Sequence, residues 1–156
     1  MTDLTRLDDL ERHAWLGFLR TRDLIAAAVG RDSTRESNLT YVEYSVLAQL
    51  AEAPDHRLGF ATLAAGLEWS QSRLSHQVTR MQRRGLVVRE PIPGDARRTA
   101  ALLTPRGAEV LAGAVPAHVQ SVRRHMIDVL DRKQLAALAD IYDTLLAHHR
   151  NSADES

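Results

Sequence analysis

"WSQSRLSHQVTRMQRRGLV", residues 69–87, carries four arginines and no acidic side chain. Ser70 is a good N-cap and Gly85 a good C-terminal stop, so the stretch predicts one helix between them. On a 3.6-residue wheel, Leu74, Val78 and Met81 make a narrow apolar stripe, while Ser72, Arg73, His76, Thr79, Arg80 and Arg83 fill the opposite side. A helix anchored by so narrow a stripe, with a wholly polar and basic outer face, has three readings. The face is solvated, or it meets an acidic protein, or it meets the phosphates of DNA.

The flanks narrow the choice. Upstream, "FATLAA" predicts a short helix from about Phe60 to Ala65, stopped by Gly66, and "LEW" turns the chain into Ser70. Helix, tight turn with glycine, helix is a helix-turn-helix pattern. Downstream, "LVVRE" and "TAALLT" read as two antiparallel strands around "PIPGDARR", whose Pro91, Pro93 and Gly94 form the turn. A basic hairpin directly behind a helix-turn-helix is a wing.

Further out lie helices. Leu4, Leu7, Leu10, Ala14, Trp15, Phe18, Leu19, Ile25 and Val29 fall at helical spacing, and Gly30 with "RDSTRESN" is expected to end that helix. Thr40 and Glu43 form a capping box for the next, Leu39 can staple onto Tyr44, and Val46, Leu47 and Leu50 continue the stripe to Pro54. Thr104, with Pro105 at the first helical position, launches a helix expected to bend at Pro116 and reach about Leu130. Asp131 and Gln134 cap the last one, whose apolar face is Leu135, Leu138, Ile141, Leu145 and Leu146. The expected fold is mainly α with a small β-hairpin wing: a winged helix-turn-helix domain flanked by N- and C-terminal helices.

The 20 basic and 20 acidic residues cancel over 156 positions, yet they are not mixed. From Ser70 to Arg106 eight arginines face two acids, a net +6, which leaves −6 for the rest. Arginine outnumbers lysine 19 to 1. Base composition of the genome accounts for that preference but not for where the arginines sit. Such a dipole suggests a nucleic-acid face. The absence of cysteine excludes disulfides, thiolate metal sites and cysteine redox sensing. No apolar run is long enough to span a membrane and no signal pattern opens the chain, so a soluble cytoplasmic protein without a membrane partner is expected.

In its order of elements and in the strings "LTYVEYSVLAQLAEAP", "SQSRLSHQVTRMQRRGLV", "GDARR" and "LLTPRG", the chain resembles the multiple-antibiotic-resistance regulator (MarR) family of bacterial transcription factors. The match runs from about Leu4 to His149, and the aspartate-x-arginine of the wing is its most specific piece. The resemblance implies one domain over 1–150, with a DNA-binding lobe at about 39–104, dimerisation helices at about 4–30 and 105–149, and a frayed tail at 151–156. It implies a homodimer on a pseudo-palindromic double-stranded operator. The expected role is a sequence-specific regulator, a repressor, with a small-molecule effector as a further partner.

On that expectation the first half of the recognition helix reads bases. Arg73 is placed to grip a guanine bidentately, worth about 1–3 kcal/mol of discrimination, and Gln71 to pair with adenine. Ser72 and His76 share that half, while Ser70, Ser75 and Gln77 equally suit phosphates. Arg80, Arg83, Arg84 and Arg89 complete the basic set, the last three as phosphate clamps. By the resemblance, Arg97 enters the minor groove, Asp95 orients it, and Arg98 stays near a phosphate. Trp15, Phe18, Tyr41 and Tyr44 supply aromatic surface for a ligand pocket, although rings at helical spacing are more often core.

Other chemistries fare poorly. Ser, His and Asp occur only in exposed repeating positions, with no sign of a hydrolytic triad, nucleotide loop or metal spacing. His118 and His125 share a helix face that His13 could approach, a metal or carboxylate-ligand site in outline, but helix-surface or interface histidines explain them better, and neither metal nor cofactor is expected. The alternative to a DNA-binding regulator is a winged-helix module whose basic face meets an acidic protein.

Overall fold

The computed structural model of the chain describes residues 6–92 and 94–154, without the side chains of 96, 97 and 151–154. The elements run α1 (Asp9–Ser37), α2 (Tyr41–Glu52), β1 (Arg57–Gly59), α3 (Phe60–Gly66), α4 (Gln71–Arg83), β2 (Val87–Ile92), β3 (Asp95–Leu103), α5 (Pro105–His125) and α6 (Arg132–Asp154). Short 3-10 turns follow α2 and α5.

α2, α3, α4 and the first half of α5 close on one core, in which Val46, Leu47, Leu50, Leu63, Leu74, Val78, Met81 and Val87 are fully buried. Each capping signal named above is made. Thr40 and Glu43 form the reciprocal box, Ser70 accepts from the Arg73 amide at 3.1 Å, and Thr104 accepts from the Gly107 amide at 2.9 Å. Asp131 likewise accepts from the Gln134 amide while Gln134 accepts from the Asp131 amide. Four helices therefore start where side-chain oxygens satisfy amides that have no partner within the helix.

The sheet has three strands in the order β1-β3-β2, all antiparallel. Val88 faces Leu102 across the wing, and β1 pairs Arg57 with Leu102 on the other side of β3. A three-residue strand leaves no alternating pattern, which is why the sequence reading holds only the wing's pair. Gly94 turns the hairpin at φ 86°; Pro93, assigned to the same turn, lies outside the described residues.

α1 corrects the expectation most. It opens at an Asp8–Glu11 capping box and runs 29 residues, through Gly30 and most of the polar run, to Asn38 at φ 54°. Leu4 lies outside the described residues. The polar run stays helical because its polar groups are used. Asp32 and Ser33 are buried; Ser33 Oγ donates to the Leu39 carbonyl at 2.9 Å, and Asp32 receives Ser121 Oγ of α5 at 2.7 Å. Arg124 and His125, also of α5, both reach Asp32 at 3.0 Å. At the other end, α5 continues through Pro116 as one helix but stops at His125, short of the expected Leu130. The α6 backbone continues to Asp154, four residues into the expected tail.

Candidate nucleic-acid interface

α4 is held from beneath and free above. Leu74, Val78 and Met81 are fully buried, whereas Gln71, Ser72, Arg73, His76, Arg80 and Arg83 are exposed. Its C-terminus is a Schellman motif: the Leu86 amide donates to the Met81 carbonyl at 3.1 Å and the Gly85 amide to Gln82 at 2.9 Å, with Gly85 at φ 71°. That motif turns the chain into β2 and sets the wing beside the helix. Arg98, on β3, is exposed. Asp95 is half-buried opposite Ile92. The Arg97 side chain, and so the expected Asp95–Arg97 bond, lies outside the described residues.

Two of the three arginines expected as phosphate clamps are engaged within the protein. Arg84 donates to Glu43 Oε1 at 2.6 Å and to the Asn38 carbonyl at 3.0 Å, tying the end of α4 to the start of α2. Burial works to raise the Glu43 carboxyl, but the Thr40 amide and the Arg84 guanidinium outweigh it and hold the carboxyl below its ordinary range. Arg89, on β2, donates to the Ser75 carbonyl, to Ser75 Oγ at 3.2 Å and to Thr79 Oγ1 at 2.7 Å, and lies 5.1 Å from the Phe60 ring centroid. It pins the wing to α4 and α3. Ser75 is spent on that pin, Gln77 is half-buried, and Ser70 serves as the cap. A run of arginines does not disclose which members find internal partners.

Behind α4, a cleft of about 470 Å³ is bordered by α2, α4 and α5 and lined among others by Tyr41, Tyr44, Glu68, Trp69, Arg73 and His118. His118 stacks on Tyr44 with centroids 4.0 Å apart, and burial lowers its pKa, which favours the neutral ring. Tyr41 and Tyr44, two of the four residues expected around a ligand, thus line this cleft. Trp15 and Phe18 do not: they stack on each other at 5.9 Å, about half-exposed on α1 and away from the cleft. Trp69 and His118 take their place. Trp69 was legible only as a turn residue, and His118 as a helix-face histidine weighed against a metal or carboxylate-ligand site. His118 and His125 also fail to converge, since His125 turns to Asp32.

Residues 37–98 match the family model described as the MarR family. The transcriptional regulator HosA of Escherichia coli O111:H- is 31% identical over 99 residues, 64% of this chain and 72% of that protein. AbsC, a MarR-family transcriptional regulator from Streptomyces coelicolor, superposes at a TM-score of 0.84 with 36% identity, over 93% of this chain and 97% of its own. The chain belongs to the MarR family. Sco3205, another MarR-family regulator from Streptomyces coelicolor and solved in complex with DNA, matches at a TM-score of 0.83 and 34% identity over 90% of this chain and 88% of its own. As a MarR-family chain the molecule is a transcriptional regulator of winged-helix fold, with α4 as its recognition helix and β2–β3 as its wing.

Proposed function

We propose that two copies of this chain pair through α1, α5 and α6 and bind an inverted-repeat operator in the cytoplasm, as a repressor. Each copy lays α4 in a major groove and the wing in the adjacent minor groove. The observation that carries this reading is the outer face of α4. It presents Gln71, Ser72, Arg73, His76, Arg80 and Arg83 together, beside a wing that adds Arg98 and the Arg97 position. Base-reading types stand at the helix start and cations along its length, the division that major-groove readout and phosphate contact require. Pairing is supported by where apolar surface remains bare. Ile141, Leu145 and Leu146 on α6, Val115 and Val119 on α5, and Leu10, Trp15 and Phe18 on α1 are all exposed, and nearly all of α6 is uncovered by its own chain.

A small aromatic ligand in the Tyr41–Tyr44–His118 cleft then releases the operator. The cleft joins α4 to α5, so an occupant bears on the recognition helix and the pairing helices at once. Fluorescence-anisotropy titration on DNA from the gene's own upstream region, beside a scrambled duplex and at two salt concentrations, tests the DNA reading. The expected result is sequence-preferring binding that weakens with salt and falls in Arg97→Ala. Equal, weak binding to every duplex in a library of genomic fragments would overturn it in favour of an acidic protein partner.

A further inference from the structure

The arginines from α4 to the wing divide by how they are held. Arg84 and Arg89 are fixed, but their donors are spent on Glu43, Ser75 and Thr79. Arg80, Arg83 and Arg98 are exposed, and among the described residues no ring lies beneath them. Arg73 is both held and free. Its guanidinium lies over the Trp69 ring, 4.4 Å from the centroid, and among the described residues its side chain makes no ion pair or hydrogen bond. Stacking engages the face of a guanidinium and leaves the N–H groups in its plane available. The seat is fixed from both sides. Glu68, in the left-handed region at φ 56°, turns the chain out of α3, and the Trp69 amide donates to the Ala64 carbonyl at 2.9 Å. The half-buried Trp69 ring packs against the hydrophobic core. Four positions on, the Arg73 amide is held by the Ser70 cap.

We propose that Trp69 is a specificity-determining positioning residue, whose ring holds the Arg73 guanidinium, donors free, in the orientation that reads a guanine edge. This inference rests on the DNA-binding reading above. A bidentate grip on guanine N7 and O6 needs a planar fork presented edge-on. An arginine that is loose in solution gives up rotamer freedom to present it, and one already laid on a ring gives up less. Trp69 stands before the cap and acts through Arg73 rather than on a base itself. Any apolar side chain would pack at this position ahead of a helix; a ring is required only by the cation above it. The seat therefore bears on base readout and leaves the phosphate contacts of Arg80 and Arg83, further along the helix, as they are.

The test is a double-mutant cycle with Trp69→Leu, Trp69→Phe and Arg73→Ala in the full chain, read by fluorescence anisotropy. The probes are the best-bound duplex from the gene's own upstream region, the same duplex with 7-deazaguanine at each guanine in turn, and a scrambled duplex. Removing the N7 acceptor should weaken wild-type binding at one guanine position of each half-site. Trp69→Leu should lower affinity for the preferred duplex by roughly three- to tenfold, the scale of ordering one arginine side chain. It should also shrink the 7-deazaguanine penalty and leave scrambled-duplex binding unchanged. Trp69→Phe should keep most of both affinity and penalty. On the Arg73→Ala background, Trp69→Leu should cost nothing further. An equal loss on scrambled DNA, a loss that persists on Arg73→Ala, or an undiminished penalty in Trp69→Leu would each make Trp69 merely structural and overturn the inference. NMR of the free wild-type chain reads the seat without DNA. The Arg73 Hε resonance should lie upfield, shifted by the indole ring current, and an unshifted resonance would overturn the seat. If one duplex is preferred while Trp69→Leu costs nothing, the regulator stands and this inference falls. If the resonance is shifted but no duplex is favoured, the seat stands and the operator reading falls.

Discussion

Arg83 and Arg84 are adjacent on the recognition helix and have different work. Arg83 is exposed with a basic face around it, while Arg84 closes a pair with Glu43, a carboxylate whose side chain is only 7% exposed. Replacing Arg84 by alanine leaves a buried carboxylate short of one partner. We expect a loss of about 1–2 kcal/mol, below the figure for a fully buried pair because Arg84 itself is 39% exposed. Urea denaturation measures it. Arg83→Ala should leave stability unchanged and reduce the salt slope of DNA binding by about 1 per site, the signature of one lost phosphate contact. The sequence marked both as cations on a helix end. Which one finds a carboxylate depends on α2 arriving 41 residues away in sequence, and no local pattern contains that distance.

Among elements, the joint between wing and recognition helix is made by Arg89, and the joint between wing and α5 by Gly107. Arg89 spends its donors on Ser75 and Thr79 of α4, so it fixes the angle between α4 and the wing. Arg89→Ala is expected to weaken DNA binding several-fold while the salt slope stays at the wild-type value. A reduced slope would instead make Arg89 a phosphate contact. A Cβ on Gly107 would land on the Leu86 carbonyl oxygen, which a backbone group cannot vacate. Gly107→Ala should therefore cost at the upper end of the roughly 1–3 kcal/mol typical of overpacking, read as a lower Tm. The "LLTPRG" string displayed that glycine as part of a helix start. The close approach that makes it necessary exists only once α5 has docked on the strand.

At the scale of the whole molecule, one buried carboxylate and one bare helix govern how the halves are held. Asp32 joins α1 to α5. The Ser121 hydroxyl first, and then the His125 ring, hold its carboxyl below the ordinary value of 3.8, with Arg35 and Arg124 adding to them and burial opposing. A carboxylate whose folded pKa is depressed contributes stability above its unfolded pKa and loses it as pH falls through the folded one. The stability gap between wild type and Asp32→Asn should thus be full at neutral pH and close below about pH 4, as followed by circular dichroism. α6 has the opposite character, with Ile141 53% and Leu145 49% exposed. Changing both to aspartate is expected to leave the winged lobe folded and convert a dimer to a monomer in light scattering. An unchanged mass would place the pairing surface elsewhere.

What the sequence determined alone is what neighbouring residues decide among themselves. The capping boxes at Thr40 and Asp131, the caps at Ser70 and Thr104, the stop at Gly85, the Leu74–Val78–Met81 stripe and the wing's two strands all follow from interactions within a few positions. The basic outer face of α4 follows from the same periodicity. Tertiary structure decided the rest, because polar groups choose partners by distance in space. The run from Arg31 to Asn38 has the composition of a loop, yet it stays helical as far as Ser37, where α5 brings Ser121, Arg124 and His125 to Asp32. Trp69 and His118 became walls of one cleft, Trp15 and Phe18 were left on the outer surface of α1, and Arg84 and Arg89 were drawn inward. The helical run and the two inward arginines each turn on a desolvated polar group that needs a partner, and only the folded chain supplies one.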